Sequence, residues 1–157
     1  MTLSRMFETY SVELEIMVTG EPQDTFTNII HLTKGNDHGE PGDRMPAIFL
    51  LQHKLHICSY VNDNANHAYN SQNALPLFIW TKVVVRQAIV DGKYMYSILI
   101  NNFEEHLIEN TTPIELDNVK VYASNPWHAT DTNAKIRNFK LGKIVDLTMF
   151  ILPLDIK

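Results

Sequence analysis

Hydrophobic and polar positions alternate from the first strand-length segment of the chain. Tyr10, Val12, Leu14, Ile16 and Val18 are separated by Ser11, Glu13 and Glu15, a period of two that predicts a half-buried β-strand. Gly20-Glu21-Pro22-Gln23-Asp24 breaks the pattern with turn residues, and Phe26, Ile29, Ile30 and Leu32 mark a second apolar segment. A polar loop rich in Gly, Asp and Asn follows from Lys34 to Arg44 and holds the short Gly39-Glu40-Pro41-Gly42. Pro46 to Leu51 reads as a buried strand. Gln52-His53-Lys54 connects it to the alternating Leu55, Ile57, Ser59 and Val61, which predicts a hairpin.

The segment Asn62 to Asn73 is crowded with Asn and has no period, so a loop is expected there. Leu75 to Trp80 resumes the apolar pattern, and Trp80 at its end is expected to pack internally. Two strand-like runs, Val83 to Gln87 and Tyr94 to Ile100, flank Val90-Asp91-Gly92-Lys93, and Asp-Gly between such runs signals a tight hairpin. Further strands are expected at Glu105 to Ile108, Val119 to Ser124, Lys135 to Leu141 and Ile144 to Leu152. No run has helical spacing. Ten or so short strands with turn punctuation predict an all-β protein, an antiparallel β-sandwich or barrel, in one domain spanning residues 1–157.

Composition narrows the function classes. At 157 residues with 45% hydrophobic and 20% charged positions, the chain is too apolar and too weakly charged for intrinsic disorder, and compaction scaling gives a radius of gyration of about 15 Å. A net charge of -5 offers no global positive field to nucleic acid or anionic lipid. The single cysteine, Cys58, leaves no intramolecular disulfide and no multi-cysteine zinc site. No stretch approaches the roughly 18 apolar residues of a membrane helix, and Met1 to Arg5 is followed too soon by polar residues for a signal-peptide core. Membrane insertion is not expected. The chain fits a cytosolic protein or a secreted one whose signal has been removed.

Several segments together carry a family resemblance. They are His31-Leu32-Thr33, Gly42-Asp43-Arg44-Met45-Pro46-Ala47-Ile48, Trp80-Thr81-Lys82-Val83, Tyr94-Met95-Tyr96-Ser97-Ile98 with Ile100-Asn101, Val119-Lys120-Val121-Tyr122-Ala123-Ser124-Asn125-Pro126-Trp127 and Ala134-Lys135-Ile136-Arg137-Asn138. In this order they resemble the concanavalin A-like superfamily, nearest to the laminin-G-like modules of animal extracellular proteins. There a tryptophan opens a W-x-x-V strand, a Y-x-I-x-I-N-G strand follows, and a V-x-V-Y-x-S strand lies near the end. Asn102 stands where that pattern has glycine, and asparagine can also take the left-handed conformation. The resemblance implies a jelly-roll sandwich and an extracellular origin. It does not single out a function, because the same sandwich carries lectins, adhesion modules, glucanases and structural linkers.

The candidate chemistry is sparse. Glu13 and Glu15 project from one face of a strand, as do the paired carboxylates of retaining glucanases, but the third carboxylate of that family's active strand is missing and a solvent-facing strand accounts for the pair. None of the seven histidines, His31, His38, His53, His56, His67, His106 and His128, has H-x-x-x-H or H-E-x-x-H spacing, and all read as surface or loop side chains. Cys58, between Ile57 and Ser59 with no nucleophile elbow, reads as a small strand residue. The galectin signatures H-x-N-x-R and W-x-x-E-x-R are absent.

Calcium is the cofactor that the resemblance implies, held by Asx and backbone oxygens in rim loops. Donors stand in three loops: Asn36, Asp37 and Asp43; Asn62, Asp63, Asn64 and Asn66; Asn125 and Asp131. Asp43 and Asp63 are the first choice as metal ligands, although Asx residues also serve ordinary turns. Glycan binding needs an exposed aromatic face and nearby polar side chains, and Trp127 and Tyr69 lie in polar segments. The expected ligand site is Asp43, Arg44, Asn62, Asp63, Asn125 and Trp127. The expected role is non-catalytic recognition of a glycan, with a structural or adhesion module and a glycan hydrolase of the same fold as alternatives. A small apolar ligand inside the sandwich is a third. Asn110-Thr111-Thr112 is the one N-x-S/T sequon and agrees with secretion. The apolar Thr148 to Leu152 is expected either to be buried on both faces or to form a homo-oligomer interface.

Overall fold

In the computed structural model, which describes residues 1–130 and 133–144, the described residues form twelve strands and no helix. They are β1 (Thr2–Met6), β2 (Tyr10–Val18), β3 (Thr27–Thr33), β4 (Ala47–Leu51), β5 (Lys54–Val61), β6 (Asn64–Asn70), β7 (Thr81–Val90), β8 (Lys93–Ile100), β9 (Phe103–Glu109), β10 (Leu116–Ala123), β11 (Ala129–Thr130) and β12 (Ala134–Lys143). The larger sheet runs β1-β10-β3-β4-β5-β6 with β11 attached to β3, and the smaller runs β12-β2-β7-β8-β9. All pairings are antiparallel except β11 on β3 and an isolated Val18–Leu77 bridge. The fold is the expected antiparallel β-sandwich.

Four hairpins set the register. Each uses a two-residue turn with both residues at positive φ: Gln52-His53, Asn62-Asp63, Asp91-Gly92 and Asn101-Asn102. This backbone matches the right-handed twist of the flanking strands, and Asn, Asp and Gly reach it at low steric cost. Asn102 takes φ 67°, so it does the work of the glycine it replaces.

The inner faces meet in one core. On β2 the alternation is complete, with Tyr10, Val12, Leu14, Ile16 and Val18 buried against Val83, Val85, Ile98, Ile48, Leu50, Leu55 and Ile57 of other strands. Fully burying such a side chain is worth about 1.5–3 kcal/mol. Two polar links cross the core. The Tyr96 hydroxyl on β8 donates to Ser59 Oγ on β5 at 2.9 Å. Asn110 Nδ2 donates to Gln87 Oε1 at 2.6 Å while Asn110 Oδ1 accepts the Asn62 and Thr112 amides, and Gln87 Nε2 donates to the Glu8 carbonyl. The amide of the sequon is thus spent inside the protein.

Some expectations need correction. The segment Asn62 to Asn73 is a turn followed by strand β6, in which Ala65, His67 and Tyr69 face inward between exposed Asn64, Asn66, Ala68 and Asn70. The low strand propensity of asparagine yields to pairing with β5 because the Asn side chains lie on the solvent side. Leu75 to Trp80 is not a strand: Pro76 offers no N–H to a ladder, and Phe78 turns to φ 59° with its N–H on the Val18 carbonyl. Leu77, Phe78 and Ile79 are left exposed. Trp80 is half-buried, with the Arg137 guanidinium 4.1 Å over its ring. Strand β1 at Thr2–Met6 was not foreseen; it pairs with β10. The strand expected at Ile144 to Leu152, with the apolar Thr148 to Leu152, falls outside the described residues beyond Ile144.

Asn110→Ala leaves the Gln87 amide and two backbone N–H groups without their partner, so it is expected to lower unfolding free energy by about 1–3 kcal/mol. Urea unfolding of the two proteins checks this, and equal midpoints would show that water replaces the bonds.

Candidate functional site

The central strands of the larger sheet break the rule that an antiparallel sheet has one wet face. Every residue of β3 is buried, as are four of five in β4, a pattern usual for sheets covered on both sides. The outer face carries His31 on β3, Ala47 and Phe49 on β4, and His56 and Cys58 on β5. Ala47, Phe49 and Cys58 form a small core separate from the main one. Phe49 is its hub. Its ring lies 4.9 Å from His128, 5.9 Å from His56 and 6.3 Å from both His31 and Phe26, and the Arg44 guanidinium sits 5.0 Å over it.

Two loops cover this face. Residues 34–46 are pinned to β3 through Leu32 N–H on the Pro46 carbonyl and Met45 N–H on the Leu32 carbonyl. Gly42 has φ 92°, and a Cβ there would meet Leu116 Cδ2 at 2.9 Å, so only glycine lets the loop lie this close. Residues 124–130 arrive from the other side. His31 joins them: its Nε2–H donates to the Asp43 carbonyl at 2.7 Å, and its Nδ1 accepts from Asn125 Nδ2 at 2.6 Å. Asn125 Oδ1 in turn accepts the N–H groups of Trp127 and His128. Burial holds the His31 pKa below its usual value, as this neutral tautomer requires.

Of the six residues expected at the ligand site, the structure brings together Asp43, Arg44, Asn125 and Trp127. Asp43 is buried; its Oδ2 accepts the Glu40 N–H while its Oδ1 has no partner. Arg44 is also buried and fully engaged, with Nε on the Asp37 carbonyl, Nη2 on Asp37 Oδ1 at 3.1 Å and Nη1 on Asn66 Oδ1 at 2.7 Å. These two and Asn125 position the loops. Trp127 alone of the four is open to solvent, 41% exposed, with its ring edge-on to Tyr122 at 5.9 Å and 5.5 Å from His31. Asn62 and Asp63 stand apart from this group, forming the β5–β6 turn. Asn62 bonds the Glu109 carbonyl and Thr111, and Asp63 accepts the Tyr60 hydroxyl at 2.7 Å. Asp43 and Asp63, the chosen calcium ligands, therefore serve two different turns. Among the described residues no three His, Cys, Asp or Glu side chains are grouped to hold a metal ion.

Sequence reading missed Phe26, Phe49, His56 and His128 as members of this face. Phe26 is 40% exposed and stacks on His56 at 4.7 Å. The available signal was the unbroken apolar run from Pro46 to Leu51, which implies a covered outer face. Two arrangements with the outline of catalytic groups, neither expected to be catalytic, can be judged from geometry. Cys58 Sγ lies 3.0 Å from His56 Nε2, whose Nδ1 bonds Asn70 Oδ1 at 2.7 Å, an order of groups seen in cysteine nucleophiles. However, the thiol is wholly buried, and burial pushes its pKa up against the pull of Arg44, so the thiolate is disfavoured. Glu13 is bonded to Lys82 and Lys140 and Glu15 to Arg137. The pairs hold both carboxylates in the charged form, against partial burial at Glu13.

No protein-family model matches the chain, and no curated protein does. Solved structures do share the fold. The receptor binding domain of botulinum neurotoxin D is 12% identical with a TM-score of 0.63, over 90% of this chain and 35% of that one; it has also been solved as a ligand binding domain in complex with N-acetylneuraminic acid. The endo-β-1,4-glucuronan lyase of the fungus Trichoderma reesei is 14% identical with a TM-score of 0.56, over 91% and 73% of the two chains. The heptameric SAP-like pentraxin of Limulus polyphemus is 13% identical with a TM-score of 0.57, over 89% and 65%. The chain thus spans about a third of the neurotoxin domains it matches. The shared architecture is an antiparallel β-sandwich of jelly-roll type.

His31, His56, His67 and His106 are all held below the usual histidine pKa, first by burial. The unfolded chain takes up protons as pH falls through about 6.5 while the folded chain resists, so stability falls in that direction. Glu13 and Glu15 have lowered values and contribute their loss only below about pH 4.5. Urea unfolding at pH 7.5, 6.5 and 5.5 is expected to show a steady loss that is shallower in His31→Gln. A flat profile across this range would contradict the buried-neutral assignment.

Proposed function

We propose that the chain is a non-catalytic carbohydrate-recognition module of laminin-G-like type, and that its ligand rests on the outer face of the larger sheet. The observation that carries this reading is the pair of exposed rings, Trp127 and Phe26, at an otherwise polar surface. Phe26 contacts Phe49 directly, and Trp127 reaches it through His31. Between and beside them lie His128, His56, Asp37, Asn66 and Asn70, all at least partly exposed. An aromatic face takes the C–H patch of a sugar ring, and imidazole, amide and carboxylate groups take its hydroxyls. A ring fixed from beneath also loses little side-chain freedom when a ligand lands on it. One neurotoxin domain that matches over 34% of its own length is solved in complex with N-acetylneuraminic acid, and another neighbour is a glucuronan lyase; these make acidic sugars the first to try. An extracellular setting fits this role.

A protein-binding role is favoured by one separate observation. Leu77, Phe78 and Ile79 are consecutive and 49%, 67% and 58% exposed, an apolar tip of the kind that marks contact surfaces. Phe78→Asp is expected to abolish any self-association seen in sedimentation while leaving glycan binding unchanged.

The glycan reading is tested on a glycan array that includes sialylated and uronate-bearing chains, with calcium and with a chelator. Trp127→Ala and Phe26→Ala are each expected to weaken binding at least about tenfold, the loss of one well-packed contact of about 1.4 kcal/mol, with unchanged far-UV spectra. Chelator-sensitive binding would assign a calcium ion to loop oxygens, Asp43 Oδ1 first. Absence of binding across the array would move the function to the Leu77–Ile79 tip.

A further inference from the structure

The open flank of the sandwich carries a pair of histidines that the glycan face does not use. Strand β6 is the outermost strand of the larger sheet and β9 of the smaller, so their edges face each other across the seam between the sheets. His67 on β6 and His106 on β9 meet there, Nε2 to Nε2 at 3.0 Å, with ring centroids 5.1 Å apart and planes inclined by 34°. Tyr96 stands edge-on at 6.1 Å from both rings, and Tyr69 lies 5.9 Å from His106. Both imidazoles are half-buried and open on one side. Neither takes part in an ion pair among the described residues. Two neutral imidazoles in this arrangement share a single proton, one ring donating and the other accepting.

We propose that His67 and His106 form a binding site for a borderline transition-metal ion of the class Cu(II), Ni(II) or Zn(II), which clips the edge strands of the two sheets together. Imidazole suits these ions, whereas calcium and magnesium call for oxygen donors. Metal–nitrogen bonds of about 2.0–2.1 Å place two neighbouring ligand nitrogens about 2.9–3.3 Å apart, and the observed spacing falls within that range. The rings now meet nearly head to head, so the ion enters from the solvent side as both turn outward. The described residues supply no group of three His, Cys, Asp or Glu ligands, so water completes the coordination. In the pair one Nε2 carries a proton and the other a lone pair, so metal binding requires that proton to move to the donor ring's Nδ1, after which both Nε2 atoms present lone pairs. The site closes a cross-sheet loop between residues 67 and 106, and an ion that binds only the folded chain stabilises it by an amount that grows with the logarithm of metal concentration above Kd.

The intact chain is titrated with CuCl2, NiCl2 and ZnCl2 in a non-chelating buffer at pH 7.5. One equivalent of Cu(II) is expected to give an electron paramagnetic resonance spectrum with two equatorial imidazole nitrogens, and Ni(II) or Zn(II) to raise the melting temperature. His67→Gln and His106→Gln should each weaken binding at least about tenfold, because one remaining imidazole no longer chelates. His38→Gln, at an exposed loop histidine, should leave metal binding unchanged. In the wild-type protein, nitrogen NMR should show Zn(II) moving the His67 and His106 Nε2 signals, which requires no variant to fold. Binding that survives both substitutions, that is lost in His38→Gln, that moves other histidines, or that is absent up to about 1 mM metal would overturn the proposal.

Discussion

The centre of the larger sheet is covered on both faces, and a single buried imidazole holds the second cover in place. His31 has no freedom of tautomer: a carbonyl on one side demands a donor, and the Asn125 amide on the other demands an acceptor. Through those two bonds the loop at 34–46 and the loop at 124–130 become one layer over Phe49. Arg44 completes the layer from within, lying over the Phe49 ring while its fork is occupied by Asp37 and Asn66. A guanidinium buried this way is tolerable because its charge is paired and its donors are used. What looks in sequence like two polar rim loops is therefore a second small core with a polar skin.

The two outer faces differ for this reason. On the smaller sheet, Glu13 and Glu15 lie among Lys82, Arg137 and Lys140, a lattice of surface pairs in which each is worth little and both carboxylates are paired. On the larger sheet, aromatic rings and half-buried polar groups remain at the surface, with Trp127 and Phe26 supported from below. Recognition sites tend to combine fixed apolar surface with a few oriented polar groups. The covered face has both, whereas the carboxylates of the smaller sheet are tied up in ion pairs.

How much of this was legible in sequence depends on whether a residue's role is set by its neighbours along the chain. The alternation in β2 and the Asp91-Gly92 turn are local, and both were readable. So was the left-handed Asn102. Strand β6 was not, because its asparagines face solvent and only pairing with β5 makes them a strand. The apolar segment Leu75 to Trp80 misled in the other direction, since Pro76 and the positive φ at Phe78 withdraw it from any ladder. At the site, Asp43, Arg44, Asn125 and Trp127 were chosen from loop chemistry together with Asn62 and Asp63, which stand apart, and the division of labour among the four was not readable. Three are buried and hold the loops, and one reaches solvent. That distinction depends on His31 and Phe49, which come from elsewhere in the chain.

The sequon at Asn110 shows how a local motif can be overruled by where the fold puts it. Its Nδ2, the atom an oligosaccharide would occupy, is already committed to Gln87 in the interior. Glycan transfer and folding then compete for one nitrogen. In a secretory compartment the outcome is kinetic: a chain that docks β9 and the segment after it first becomes a poor acceptor, and a chain modified first cannot make the Asn110–Gln87 bond and must leave that seam open. Occupancy at this position would therefore record the order of events during synthesis, and a homogeneous, unmodified product would mark a sandwich that closes quickly.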